Sequence, residues 1–184
     1  LRPPPGPRHR RLAAVEPANG FSADAVLRLA GSLEVGSEHP IAHALVAGAR
    51  ERGLSLSKAT AFQASTGLGI SGTVDGSAVA VGSAAFMRKL GYANAFGETV
   101  LAEIDKDIRR HAVTAATALV VAVGKRFAGV VAVADAIKPN AEHALAELRS
   151  RGITIVMAPG DNALAANMIA RQLSITEVHA AVLP

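Results

Sequence analysis

The residues of this chain best suited to binding or chemistry fall into separate groups. Glu34 precedes the run Ser37-Glu38-His39-Pro40. A carboxylate and an imidazole five positions apart, just ahead of a proline that starts a helix well, can act together on a flat heteroaromatic ring. The carboxylate accepts from an exocyclic amine and the neutral imidazole contacts the ring. The same run also suits an ordinary helix start, with Ser37 or Glu38 as the cap and His39 an exposed surface residue. Further on, Gly67-Leu68-Gly69-Ile70-Ser71-Gly72 matches the dinucleotide fingerprint GxGxxG. It leads into Thr73-Val74-Asp75-Gly76, a hairpin signal, where a dinucleotide site requires a helix N-terminus, so a Rossmann site is rejected. These glycines mark either a bulge between strands or a place where a flat ligand approaches the backbone. Near the end, Asp161 follows an apolar run and Gly160 and precedes a helical pattern, while Asp135 and Lys138 stand before Pro139. A carboxylate at such a strand end can hold Mg²⁺ and a lysine can meet a phosphate; a helix cap and a solvated lysine are the plainer alternatives.

The elements that must position these groups can be read from periodicity. Ser22 can cap a helix whose Val26, Leu27, Ala30 and Leu33 share one face, and a second helix starts at Pro40 and stops at Gly53. From Ala59 to Val81 the period becomes that of strands, with Asp75-Gly76 as a tight hairpin turn. A short helix over Ser83 to Leu90 and a longer polar one over Glu98 to His111 follow. Two apolar strands, Thr117 to Val123 and Phe127 to Ala134, are joined at Gly124-Lys125-Arg126. Beyond Asp135 the pattern is α/β: a helix from Pro139 to Arg151, a buried strand Ile153 to Met157, a helix Asn162 to Leu173 and a strand near Val178. The chain therefore divides into an irregular arm over residues 1–19, an α+β domain over 20–124 and a partial α/β lobe over 125–184.

Composition narrows the function classes. The chain has 184 residues, half of them hydrophobic, and no cysteine, which excludes disulfides, thiolate metal sites and a cysteine nucleophile. Aromatics are 3% of the chain, too few for the stacking platforms of a single-stranded nucleic-acid binder. The net charge of +4 comes from Arg2, Arg8, Arg10 and Arg11; setting those four aside leaves 15 basic residues against 15 acidic ones, so no nucleic-acid partner is expected. The apolar stretches around residues 112–123 and 127–134 are split by Gly124-Lys125-Arg126 and fall short of the roughly 20 residues needed to span a bilayer, so the chain is expected to be soluble, with no membrane insertion of its own. Leu1 in place of an initiator methionine gives the expectation that this is a piece of a longer protein.

The order of these motifs resembles the cytosolic ATP-binding region of P-type ATPases. The matching residues are Glu34, then Ser37-Glu38-His39-Pro40, Thr66-Gly67-Leu68-Gly69-Ile70, Val81-Gly82, Asp135-Ala136-Ile137-Lys138-Pro139 and Gly160-Asp161-Asn162. The His-Pro pair is similar to the branch that transports copper, zinc and related metals. The resemblance covers residues 22 to 184. It implies a nucleotide-binding domain of six antiparallel strands flanked by helices, joined to part of a haloacid-dehalogenase-like phosphorylation domain, at the cytosolic face of a membrane. It also implies ATP and Mg²⁺ as ligands, ADP as product, and the membrane, actuator and remaining phosphorylation domains of the pump as partners. By this resemblance Glu34 and His39 recognise adenine, Gly67, Gly69 and Ile70 line the cleft, and Gly82 admits the ribose and phosphates. Lys138 would touch the transferred phosphoryl group, and Asp161 would help place Mg²⁺.

The chain departs from the family pattern in definite places. The phosphorylated aspartate of Asp-Lys-Thr-Gly-Thr is not in these 184 residues, Ser83 stands where copper pumps usually carry Asn, and Pro159 replaces the Thr before Gly160-Asp161. The chain alone is therefore expected to bind nucleotide without turning it over. Two other readings stay open: a free-standing phosphatase of the dehalogenase superfamily with residues 20–124 as a cap, and a regulatory nucleotide-binding module with a degenerate phosphorylation lobe.

Overall fold

The computed structural model describes residues 10–114, 116–136, 140–157 and 163–178, which fall into two compact units. The first unit contains described residues 10–112 and 116–135. Its strands are β1 (Arg10–Pro17), β2 (Thr60–Ser65), β3 (Gly69–Val74), β4 (Ser77–Gly82), β5 (Thr117–Val123) and β6 (Arg126–Asp135). They form one sheet in the order β1-β6-β5-β4-β3-β2, antiparallel at every step. Five helices cover it: α1 (Ala23–Glu34), α2 (Pro40–Glu51), α3 (Ala84–Lys89), α4 (Ala93–Phe96) and α5 (Glu98–Val113). The six-stranded antiparallel sheet flanked by helices agrees with the expectation from the sequence.

The sheet is apolar on both faces because successive strand residues point opposite ways. Val79, Val81, Val121, Val131 and Val133 join a core with Val26, Leu27, Leu33 and Leu45 of α1 and α2. Ala80, Val120 and Ala122 join a second core with Phe86, Met87, Phe96 and Ile104. Nearly all the aromatic side chains are spent on this packing: Phe96 lies 6.3 Å from Tyr92 and 6.0 Å from Phe127, and Phe21 sits beneath the Arg126 guanidinium. At the turn between β3 and β4, Asp75 and Gly76 both have positive φ (49° and 76°), the twist that a two-residue hairpin requires.

Two expectations are corrected. Residues 10–17 are not part of an irregular arm: they form β1, paired with β6 from Arg10 opposite Asp135 to Pro17 opposite Gly129. Proline and arginine spacing concealed Leu12 and Val15, which pack against the α1/α2 core. The boundary expected between residues 124 and 125 falls instead after Asp135, because β6 hydrogen-bonds to both β5 and β1 and cannot leave their sheet.

The second unit holds α6 (Ala141–Ser150), β7 (Val156–Met157), α7 (Ala163–Gln172) and β8 (Glu177–Val178), with β7 and β8 parallel. The Arg149 guanidinium donates to the carbonyls of Leu173 and Ser174, both at 2.7 Å, satisfying the C-terminal end of α7. The buried strand expected over Ile153 to Met157 shrinks to two residues, with Ile153 and Val156 each 48% exposed, because a pair of short strands leaves an apolar run uncovered. Among the described residues, no helix is long and apolar enough to cross a membrane.

Removing residues 1–17 should destabilise the first unit by at least about 2 kcal/mol, the order of burying one large aliphatic side chain, since Leu12 and Val15 and the β6 edge lose their cover. Urea unfolding of the shortened and full chains checks this; equal midpoints would return these residues to the status of a connector.

Candidate functional site

α1 forms because Ser22 accepts from the Ala25 N–H and apolar residues recur on one face. It is fixed over the β3–β4 hairpin at two points. The Arg28 guanidinium donates to the Asp75 carboxylate at 2.6 Å, and this bond is the main reason that the Asp75 carboxyl is held below its ordinary range. Near its C-terminal end, Leu33 fills the space over Gly72: a Cβ at that glycine would lie 2.9 Å from both Leu33 Cδ1 and the Thr60 carbonyl oxygen. The C-terminal turn of α1, with Glu34, is thereby held above the β2–β3 edge.

Glu34 is buried, 7% exposed, and burial raises its carboxyl above the ordinary value of 4.5, partly offset by a hydrogen bond from the Ser37 hydroxyl. It also closes a helix whose last turn carries no basic residue, at the end where the macrodipole opposes a negative charge. Both effects disfavour the ionised form. His39 begins the next helix, where its Nδ1 accepts from the Ile41 N–H at 3.2 Å, so the hydrogen of the neutral ring sits on Nε2. Ser37 links the two, since its Oγ also accepts from the His39 N–H at 3.3 Å. The cap expected from Ser37 or Glu38 is thus supplied by His39 itself, and Pro40 follows in the first turn.

The glycines separate into different roles. Gly67 has φ of +71° with nothing within 4 Å of a built Cβ, so it serves a left-handed turn beside open space. Gly69 and Gly82 face each other as a cross-strand pair. A Cβ on Gly69 would meet Phe86 Cδ1 and the Val81 carbonyl oxygen at 2.5 Å, and one on Gly82 would meet the Leu68 carbonyl oxygen at 2.5 Å and Phe86 Cδ1 at 2.7 Å. Their substituent-free faces are occupied by protein. Ile70 pairs with Val81 and packs, half-buried, against the α1/α2 core. Just beyond, the Ser83 N–H donates to the Leu68 carbonyl, while the Ser83 hydroxyl accepts from the Phe86 N–H and caps α3.

The structure therefore brings Glu34 and His39 together through Ser37, and Gly67, Gly69, Ile70 and Gly82 together at the β3–β4 pair. Lys138 and Asp161 lie outside the described residues, as do Pro159 and Gly160. Among the described residues no cluster of three His, Asp or Glu side chains forms a metal-binding set.

A six-stranded antiparallel sheet followed along the chain by a small parallel α/β unit defines a class of two-unit proteins, and the sequence comparisons agree. The model of haloacid dehalogenase-like hydrolases matches residues 8–183, and the chain belongs to that family. It is 44% identical over 161 residues to a copper-transporting P-type ATPase of Rhizobium leguminosarum bv. viciae, covering 88% of this chain and 18% of that protein. Among solved structures it matches a zinc-transporting PIB-type ATPase with a TM-score of 0.75 at 30% identity, over 95% of this chain and 27% of that one. It also matches the N-domain of HMA6, a copper-transporting P-type ATPase, with a TM-score of 0.53 at 25% identity, over 68% of this chain and 98% of that domain. The chain spans about a fifth of the length of the curated relatives it matches.

Gly69→Ala should cost about 2 kcal/mol or more, as an overpacking change against backbone, whereas Gly67→Ala should cost only about 1 kcal/mol for its left-handed φ. Equal losses in urea denaturation would refute the packing assigned to the Gly69–Gly82 pair. Glu34 gives a pH-dependent expectation. Below pH 4.5 its carboxyl is protonated in both folded and unfolded chains, and burial adds no charge penalty. As pH rises through the raised folded value, the folded state must ionise a desolvated group and stability falls. Glu34→Gln should therefore melt with the parent at about pH 4 and a few degrees above it at about pH 7; a difference independent of pH would show that the carboxylate is not penalised.

Proposed function

We propose that the first unit binds adenine nucleotide and that the chain is part of the cytosolic ATP-binding region of a heavy-metal-transporting P-type ATPase, at the cytosolic face of a membrane. One observation carries this reading: Glu34, a carboxylate disfavoured by both burial and helix dipole, is linked through Ser37 to the exposed residue His39, whose Nδ1 is already engaged. Such a costly arrangement suits a ligand that hydrogen-bonds to the carboxylate and contacts the ring. In this reading the Glu34 carboxylate accepts from the exocyclic amine of adenine and His39 contacts the ring. Gly67 lets the nucleotide near the backbone, Gly69 and Gly82 bring β3 and β4 together at the cleft, and Ile70 forms part of its wall.

The second unit is the chain's share of the phosphorylation domain, where Lys138 would meet the transferred phosphoryl group and Asp161 would help hold Mg²⁺. Bound Mg²⁺ would neutralise charge on the phosphates. The acceptor aspartate belongs to another part of the pump, together with its membrane, actuator and remaining phosphorylation segments. The chain alone is a binding module, releasing neither phosphate nor ADP at an appreciable rate.

ATP should bind with a dissociation constant on the order of 0.1 to 1 mM, about 4 to 5.5 kcal/mol, because no tryptophan is available to stack the base. His39→Asn should weaken binding by about 1 to 2 kcal/mol, the range for one lost hydrogen bond, while the shorter side chain keeps the helix cap. Calorimetric titration and thermal melts on the same samples check both. Unchanged affinity in a folded variant, or sustained phosphate release by the parent, would overturn the assignment.

A further inference from the structure

A groove of about 510 Å³ lies where the C-terminal ends of α1 and α2 meet the segment leading into β2, bounded by Val35, Arg50, Leu56, Ser57, Lys58 and Phe62. Glu34, His39 and the glycines of the β3–β4 pair do not line it. Its lining combines an exposed aromatic ring with two cations. The other phenylalanines and Tyr92 are packed in the cores or beneath a guanidinium, whereas Phe62 is 48% exposed, as is Val35 across from it. Arg50 and Lys58, both at the groove, make no ion pair among the described residues, and no carboxylate lines it. The groove reaches β2 at Phe62, and among the described residues β2 is the last strand of the sheet, exposed along nearly its whole length and paired with β3 alone. Between Thr60 and Gln63 even that pairing slips, and Ala61 takes a φ of 50°.

We propose that this groove is a docking site for an extended, acidic polypeptide segment carrying apolar side chains at alternate positions. Carboxylates would pair with Arg50 and Lys58, an apolar side chain would rest between Val35 and Phe62, and the main chain would meet the unpaired outer edge of β2. Charge complementarity selects the sign of the partner, since among the described residues the groove offers two cations without an ion pair and no anion. The open strand edge selects an extended segment over a helix, because it presents main-chain donors and acceptors in register with one.

The probe is a blocked eight-residue peptide alternating glutamate and valine, with an alternating lysine and valine peptide as control, titrated into the ¹⁵N-labelled full chain. Amide shifts are expected at Val35, Ser57, Lys58 and Phe62 for the glutamate peptide alone, unaffected by saturating ATP. Arg50→Gln with Lys58→Gln, both on exposed side chains, should weaken binding at least tenfold and leave ATP affinity unchanged; Phe62→Thr should weaken it separately. Absence of shifts at millimolar peptide, equal binding of the lysine peptide, displacement by ATP, or full affinity in the folded double variant would each overturn the proposal.

Discussion

The central strands have apolar side chains on both faces, and both must be covered. Ala80, Val81, Val120, Val121 and Ala122 are all within 1% of complete burial, alternating between two cores. At roughly 25 cal/mol per Å² this burial is the main force favouring the fold, and it requires helices on each side of one sheet. It also explains β1. Without a strand beyond β6, the edge of a strand whose Val130, Val131 and Ala132 are fully buried would lie open.

Covering one face with α1 and α2 creates the candidate site as a consequence. The connection between those helices has to turn within residues 35–39, which brings the C-terminal end of one dipole beside the N-terminal start of the next. His39 satisfies the second helix start, and Glu34 violates the preference of the first helix end. Stability alone favours a neutral or basic side chain at position 34. The glycines of 67–72 show the opposite balance, for each has a structural reason: a left-handed turn at Gly67, the close approach to Gly82 and Phe86 at Gly69, and space for Leu33 at Gly72. The strongest pointer to a ligand is therefore the buried carboxylate, whose placement the packing does not require.

The second unit differs in kind. Leu148, Ile153, Val156, Met168 and Ile169 are exposed, and Ala170 is the buried apolar residue among those described there. Two short parallel strands do not enclose a core, in contrast with the six-stranded sheet.

Local signals settled much of this in the sequence itself. The cap at Ser22, the first-turn proline at Pro40, the Asp75-Gly76 hairpin and the two apolar runs of residues 117–134 depend on neighbours a few positions away, and the structure bears them out. The order of motifs was likewise legible, because it needs only residue types and spacing. What only the tertiary structure decided depends on residues far apart in the chain. β1 was hidden because its partner strand lies far along the chain, the domain boundary moved because β6 is held by that pairing, and Gly69 and Gly82 meet under Phe86 across a sheet. The burial of Glu34 is of the same kind: its carboxylate is desolvated by the packing around the end of α1, and no spacing along the sequence records that.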